Sequence, residues 1–155
     1  MISQTAEYAL RAVTHLASQG EMLPTTSQIA LATQVPADYL AKVLRGLSRA
    51  GLVRSQRGPR GGHRLTCDPA TLTLLEVINA VDPLQRIQSC PLGLKHHPQL
   101  CPLHRRLDDA MAMVEAAFRQ TTIAELVPEP SRSQASCLFP CLRLAENLAG
   151  ETAMS

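Results

Sequence analysis

Apolar residues recur at helical spacing over residues 3–18, at Ala9, Leu10, Val13, Leu16 and Ala17, and predict a first helix stopped by Gly20. The hydroxyls of Thr25, Thr26 and Ser27 can cap a short second helix that carries Ile29, Ala30 and Leu31 to about Gln34. After a Val35-Pro36 turn, Leu40, Val43, Leu44 and Leu47 stand at i, i+3, i+4 and i+7, the apolar stripe of a third helix that ends at Gly51. Its other face carries Tyr39, Lys42, Arg45 and Arg49. Residues 52–55 and 63–66 then read as two short strands, joined by Arg57-Gly58-Pro59-Arg60-Gly61-Gly62. Three helices followed by a hairpin with a glycine-rich turn are the order of a winged helix-turn-helix.

A fourth helix is predicted over residues 71–81 from Leu72, Leu75, Val77 and Ile78, closed by Asp82-Pro83. Residues 84–100 are irregular, with two prolines, one glycine, two histidines and a cysteine, and are too long for a plain connector. From Pro102 to Thr121 runs the longest helical pattern, with Leu103, Leu107, Ala110, Met111, Val114, Ala117 and Phe118 close to a heptad. A long amphipathic helix outside a small DNA-binding domain seeks a partner helix, so this one is read as a dimerisation element. The expected fold is mainly α. It divides into a winged helix-turn-helix domain (1–83), a Cys/His metal-binding loop (84–104), a dimerisation helix region (102–127) and a Pro/Ser-rich linker with a C-terminal tail (128–155).

Composition sharpens this picture at a few points. Residues 1–66 hold eight Lys/Arg against three Asp/Glu, and the remainder holds seven against ten, so a net charge of +2 conceals a basic N-terminal half. Aromatic residues are only 3% of the chain, which disfavours a single-strand binder that stacks bases and favours duplex DNA. No apolar run is long enough to span a membrane, and the start lacks the basic and apolar segments of a secretory signal, so a cytoplasmic protein is expected. Five cysteines in a reducing compartment, Cys67, Cys90, Cys101, Cys137 and Cys141, point to metal binding or redox sensing rather than a disulfide framework.

The second helix of a helix-turn-helix lies in the major groove, its N-terminal exposed residues near base edges. Here those are Ala37, Asp38, Tyr39 and Lys42, with Arg45 one turn on. Lys42 and Arg45 can contact guanine edges or phosphates, and Ser27 and Gln28 can donate to the backbone. Arg57 and Arg60, with His63 beside them, are placed for a minor groove or its flanking phosphates.

The stretch from Ser89 to His104 concentrates Cys90, Cys101, His96, His97 and His104, and thiolate and imidazole are ligands of iron-sulfur clusters and zinc. Cys101 and His104 are three residues apart at the predicted start of the long helix, so both can turn toward one point, and the positive end of that helix favours an anionic cluster.

With these residues the chain resembles the bacterial iron-sulfur winged-helix transcription regulators of the IscR/NsrR family. The likeness covers about residues 1–127. It runs through Glu7-Tyr8-Ala9-Leu10-Arg11, Tyr39-Leu40-Ala41-Lys42-Val43-Leu44, Leu47-Ser48-Arg49-Ala50-Gly51-Leu52-Val53, the wing hexapeptide, Cys90, Cys101 and Thr122-Ile123-Ala124-Glu125-Leu126. The resemblance implies a homodimer on a double-stranded DNA operator, its long helices crossing, with a cluster near the dimer interface that changes DNA affinity. Family members commonly carry three cysteines in this loop. Cys90 and Cys101 match the outer two, and His96 or His97 lies near the missing middle one. The Cys101-x-x-His104 spacing is similar to the last cysteine and histidine of the IscR-like pattern, and Glu7 holds the position of an acidic residue that ligates iron across the dimer in other members. Glu7 is also spaced for an ordinary ion pair with Arg11. Two thiolates in a mixed ligand set favour a 2Fe-2S centre over a 4Fe-4S centre. Ala41 replaces the acidic residue that follows Tyr-Leu in IscR-like proteins, so their promoter preference does not transfer.

The function expected is a redox-, nitric oxide- or iron-responsive transcription regulator, a repressor, and not an enzyme. The alternative within the same class is a zinc-bound or cluster-free thiol regulator, since two Cys and two His satisfy tetrahedral zinc. A cysteine-dependent hydrolase is a remote alternative, because the sequence offers no phosphate loop, no nucleophile elbow and no alternation of strands and helices. A winged helix used as a protein assembly surface is opposed by the basic wing. Cys137-Leu138-Phe139-Pro140-Cys141, beyond the resemblance, supplies a second thiol pair.

Overall fold

The computed structural model describes residues 2–89 and 100–127. Helix α1, Gln4–Ser18, starts where the Ser3 hydroxyl accepts from the Ala6 amide, and its buried face is Ala6, Ala9, Ala12, Val13 and Leu16. Helix α2, Thr26–Thr33, begins with a reciprocal cap in which the Thr25 hydroxyl accepts from the Gln28 amide and the Gln28 side chain returns to the Thr25 amide. It ends on Gln34 in the left-handed conformation, φ +55°. Only Ile29 and Thr33, one turn apart, are buried on α2. Leu31 therefore departs from the apolar face expected of it: it points outward and is 84% exposed.

Helix α3, Ala37–Arg49, buries Leu40, Val43, Leu44 and Leu47 against α1, as the stripe predicts. The strands β1, Val53–Gln56, and β2, Gly62–Leu65, pair antiparallel, Val53 with Leu65 and Gln56 with Gly62. Each lies one residue nearer the wing tip than expected, because the Leu52 amide bonds to the Leu47 carbonyl at the exit of α3 (3.0 Å). Helix α4, Leu74–Val81, starts three residues later than the pattern suggests. Thr73 is extended and caps it reciprocally with Glu76, whose carboxyl those Thr73 hydrogen bonds hold below the usual range. Leu72 reaches the core from the loop before the helix.

Helix α5, Pro102–Gln120, runs along α4 and has no buried residue of its own. After it the chain returns to the first domain. Thr122 bridges Thr73, the Ile123 amide bonds to the Leu72 carbonyl (2.8 Å), and Ile123 is fully buried in the same core as α1 and α3. A 3₁₀ turn, Ala124–Leu126, is tied to Pro69 through the Ala124 amide. The expected dimerisation region thus has Ile123, just after α5, packed into the winged-helix core, which anchors one end of the helix. The fold is mainly α with one two-stranded antiparallel sheet, the winged helix-turn-helix expected.

One close approach fixes the wing on this body. A Cβ on Gly62 would lie 2.1 Å from the Leu23 carbonyl oxygen, and the His63 amide bonds to the Pro24 carbonyl (3.0 Å). Gly62→Ala must push backbone apart, so it is expected to cost on the order of 1–3 kcal/mol in urea unfolding; an unchanged midpoint contradicts this seam.

Candidate nucleic-acid interface and Cys–His pair

Because α3 buries its apolar stripe, its polar residues are divided between two flanks. Ala41, Arg45, Ser48 and Arg49 face an open groove of about 560 Å³ whose other wall is Ser55 and His63 of the wing and Thr26 of α2. Lys42 lies on the opposite flank, in a separate hollow of about 490 Å³ with Thr5, Arg49, Asn79 and Val81. The structure brings Arg45 and His63 together and leaves Lys42 apart from them, while Arg49 borders both hollows. Lys42, Arg45, Ser27 and Gln28 are exposed. Gln28 spends its carbonyl oxygen on Thr25 at 2.8 Å, so its amide nitrogen is the group that can meet a phosphate.

Tyr39 differs from the exposed reader expected at the start of α3. It is half-buried, its hydroxyl bonds to Thr5 (2.6 Å), and its ring meets the Tyr8 ring edge-on at 5.4 Å. It joins α3 to α1. His63 also differs: Nε2 bonds to Thr26 (3.0 Å) and Nδ1 to Ser55 (2.9 Å), so both ring nitrogens are engaged within the protein. Burial pushes its pKa down.

Arg57 and Arg60 are exposed at the wing tip. The tip closes with the Gly61 amide on the Gly58 carbonyl (2.9 Å), and Gly61 has no room for a side chain, since a Cβ would lie 2.3 Å from the Gln56 carbonyl oxygen. Arg54 and Arg64, directly opposite each other on the strands and both exposed, extend the charge. No acidic residue stands between Gly51 and Cys67 in the sequence; in space Glu21 lines one hollow with Arg54 and Arg64, and Arg57 and Arg60 stand at the tip beyond it. Like charges facing each other across a hairpin are unfavourable in isolation, and an anionic partner removes that cost.

Cys101 is the N-cap of α5, with Pro102 in the first helical position. Its sulfur makes no cap hydrogen bond to the helix backbone and lies 3.2 Å from His104 Nδ1, the convergence that the three-residue spacing predicts. Glu7 is ion-paired with Arg11 one turn along α1. Among the described residues no three His, Cys, Asp or Glu side chains come together to hold a metal, so within one chain Glu7 does not join Cys101 and His104. Cys90, His96, His97, Cys137 and Cys141 lie outside the described residues.

Sequence reasoning missed a clamp just before this segment. Arg86 meets Asp108 through two hydrogen bonds of 2.7 Å and Glu115 through one of 3.2 Å, and the Ile87 amide bonds to Asp108 (3.0 Å). The Arg86 guanidinium holds the Asp108 carboxyl below the usual carboxylate range, and its own pKa is raised. The readable signal was the seven-residue spacing of Asp108 and Glu115, two acids on one stripe of α5.

Comparison with known proteins gives this geometry a family. The profile of the Rrf2 iron-dependent transcriptional regulators matches residues 2–129. The chain belongs to the Rrf2 family. It is therefore a transcriptional regulator rather than an enzyme. It is 30% identical over 131 residues to an HTH-type transcriptional regulator of Aquifex aeolicus, covering 82% of this chain and 91% of that protein. Among solved structures, CymR, the global cysteine regulator of B. subtilis, superposes with a TM-score of 0.69 at 26% identity, covering 81% of this chain and 95% of CymR. IscR of T. potens shares the fold with a TM-score of 0.66 at 22% identity, over 81% of this chain and 85% of IscR. DNA binding follows from the family. No helix among the described residues is long and apolar enough to cross a membrane.

Arg60→Ala is expected to weaken duplex binding and to lower the slope of log K against log salt by about 0.9 for each phosphate that the variant no longer neutralises. Lys42→Ala is expected to change preference among duplex sequences in a competition assay. Undiminished affinity and specificity in both variants contradict the interface.

Proposed function

We propose that this Rrf2 protein is a homodimeric repressor that binds a double-stranded DNA operator and reads redox, nitric oxide or iron status through an iron-sulfur cluster, a 2Fe-2S centre. One observation carries the reading: the Cys101 thiol and the His104 imidazole meet at 3.2 Å at the start of α5. A soft sulfur donor and an imidazole at that separation fit two positions around one iron. Cys90 supplies the second thiolate and the partner subunit's Glu7 the fourth ligand. When bound, the cluster supplies the electron exchange and the reactivity toward small oxidants on which sensing depends.

The protein's own residues do the rest. Leu103, Leu107 and Val114, on one stripe of α5, are 65%, 48% and 40% exposed, an apolar stripe that the other described residues leave open. A second α5 covers it and sets the spacing of two α3 helices for two half-sites. Arg86, tied to Asp108 and Glu115, holds the chain leading into the Cys/His segment against the same helix. A change at Cys101 and His104 therefore acts at the start of the helix that sets half-site spacing. On the DNA, Arg45 and Lys42 work in the major groove, Ser27 and Gln28 on phosphates, and Arg57 and Arg60 at the minor groove.

The likeness to CymR, a global cysteine regulator, favours a second reading in which the same segment is a zinc-bound or cluster-free thiol sensor.

Protein purified without oxygen is expected to show visible charge-transfer bands with stoichiometric iron and sulfide, abolished in Cys101→Ala and weakened in His104→Ala. A colourless preparation containing zinc or no metal supports the second reading, and full iron loading of Cys101→Ala sinks the ligand assignment. Leu107→Lys is expected to shift sedimentation from dimer to monomer; a monomeric wild type contradicts the role of α5.

A further inference from the structure

The wing is a two-stranded ribbon, and an isolated ribbon of that kind has little stability of its own. Val53, buried in the core, and Leu65, packed against it, seat the base of the ribbon, so the direction of its outer half depends on contacts nearer the tip. Three such contacts converge on two adjacent residues of β2. The Gly62 backbone rests against Leu23, the His63 amide bonds to Pro24, and the His63 ring bridges Thr26, the first residue of α2, to Ser55 on β1. The ring closes the end wall of the groove between the wing and α3.

We propose that His63 is a positioning residue that locks the wing to the helix-turn-helix, so that Arg57 and Arg60 reach the DNA only while the Thr26–His63–Ser55 bridge is intact. The proposal rests on the reading of the wing as a DNA contact and deepens it. A neutral imidazole has one donor and one acceptor nitrogen, and a hydroxyl can serve as either, so the two bonds are satisfied together in either tautomer. The charged groups lining the same groove, Arg45 and Arg49, both come from α3 and oppose an imidazolium there. Burial acts in the same direction. The ring thus stays neutral, with neither nitrogen left for a phosphate. Thr26 lies beside Ser27 and Gln28 at the phosphate-facing end of α2, so the bridge joins that end of α2 to the wing.

The test is a double-mutant cycle between His63→Ala and Arg60→Ala, read as affinity and salt slope on a duplex selected by the wild-type protein from a randomised pool. Breaking the bridge is expected to weaken binding by about tenfold, the equivalent of about 1.4 kcal/mol. In the Arg60→Ala background His63→Ala is expected to remove only what Arg57 still contributes, and in the Arg57→Ala/Arg60→Ala background almost nothing further, because no wing-tip arginine is left to position; the penalties are compared in that doubly substituted background. Thr26→Val is expected to reproduce the weakening and Thr26→Ser to restore wild-type affinity. Penalties that multiply, with the slope reduced by a further amount of about 0.9, identify a direct His63 contact and overturn the proposal. So does wild-type affinity that rises below about pH 6.5 and stops rising in His63→Ala. Thermal melts check folding; if His63→Ala does not fold, Thr26→Val and Ser55→Ala, which keep the ring, take its place in the cycle. An Arg60→Ala protein that binds like wild type overturns the wing reading itself, a result distinct from multiplying penalties.

Discussion

Leu40, Val43, Leu44 and Leu47 are buried on one side of α3, against Ala9, Ala12 and Val13 of α1 and Ile29 of α2. Burying side chains of this size is worth about 1.5–3 kcal/mol each, so the rotation of α3 about its own axis is not free to vary. Every other feature of the interface follows from that rotation. With the apolar stripe inward, Arg45 turns toward the wing and Lys42 toward α4, and Tyr39, at the margin of the stripe, is drawn into contact with Thr5 and Tyr8. A helix rotated by one residue would bury a charge.

The wing obeys a second constraint, in which backbone contacts add to the burial of Val53 and the packing of Leu65 at its base. Its strands pair only with each other, so the seam at Leu23–Pro24 and the bridge through His63 give it direction. Arg57 and Arg60 at its tip have no acidic neighbour along the hairpin, a charge distribution suited to a polyanion. Helix α5 obeys neither constraint. Its end is fixed by Phe118 against the core and by Ile123 within it, its middle by the Arg86 clamp, while Leu103, Leu107 and Val114 are exposed.

Elements with a strong internal period were legible in the sequence. The α3 stripe, the first helix, the hairpin order and the long helix all carry local signals, and the three-residue spacing of Cys101 and His104 was enough to predict their convergence. Features that depend on partners distant in the chain were not. Leu31 reads as core by its side chain alone, yet an eight-residue helix touching the core through one turn has no room for it. Ile123 looks like the end of a helical region and instead completes a core begun more than a hundred residues earlier. The internal bonds of His63 and Tyr39 were not legible for one reason: polar groups near a basic surface suggest DNA, while Thr26, Ser55 and Thr5, which engage them here, are distant in the chain.

On the proposed reading, what Cys101 and His104 hold governs duplex binding through α5. The most direct measurement compares one oxygen-free preparation, divided into an untreated half and a half stripped of metal by a chelator, for affinity to the same selected duplex at matched salt and protein concentration. The two halves are expected to differ in affinity by about fivefold or more, a coupling of at least about 1 kcal/mol. Equal affinities, with iron shown to be present in one half and absent from the other, contradict it.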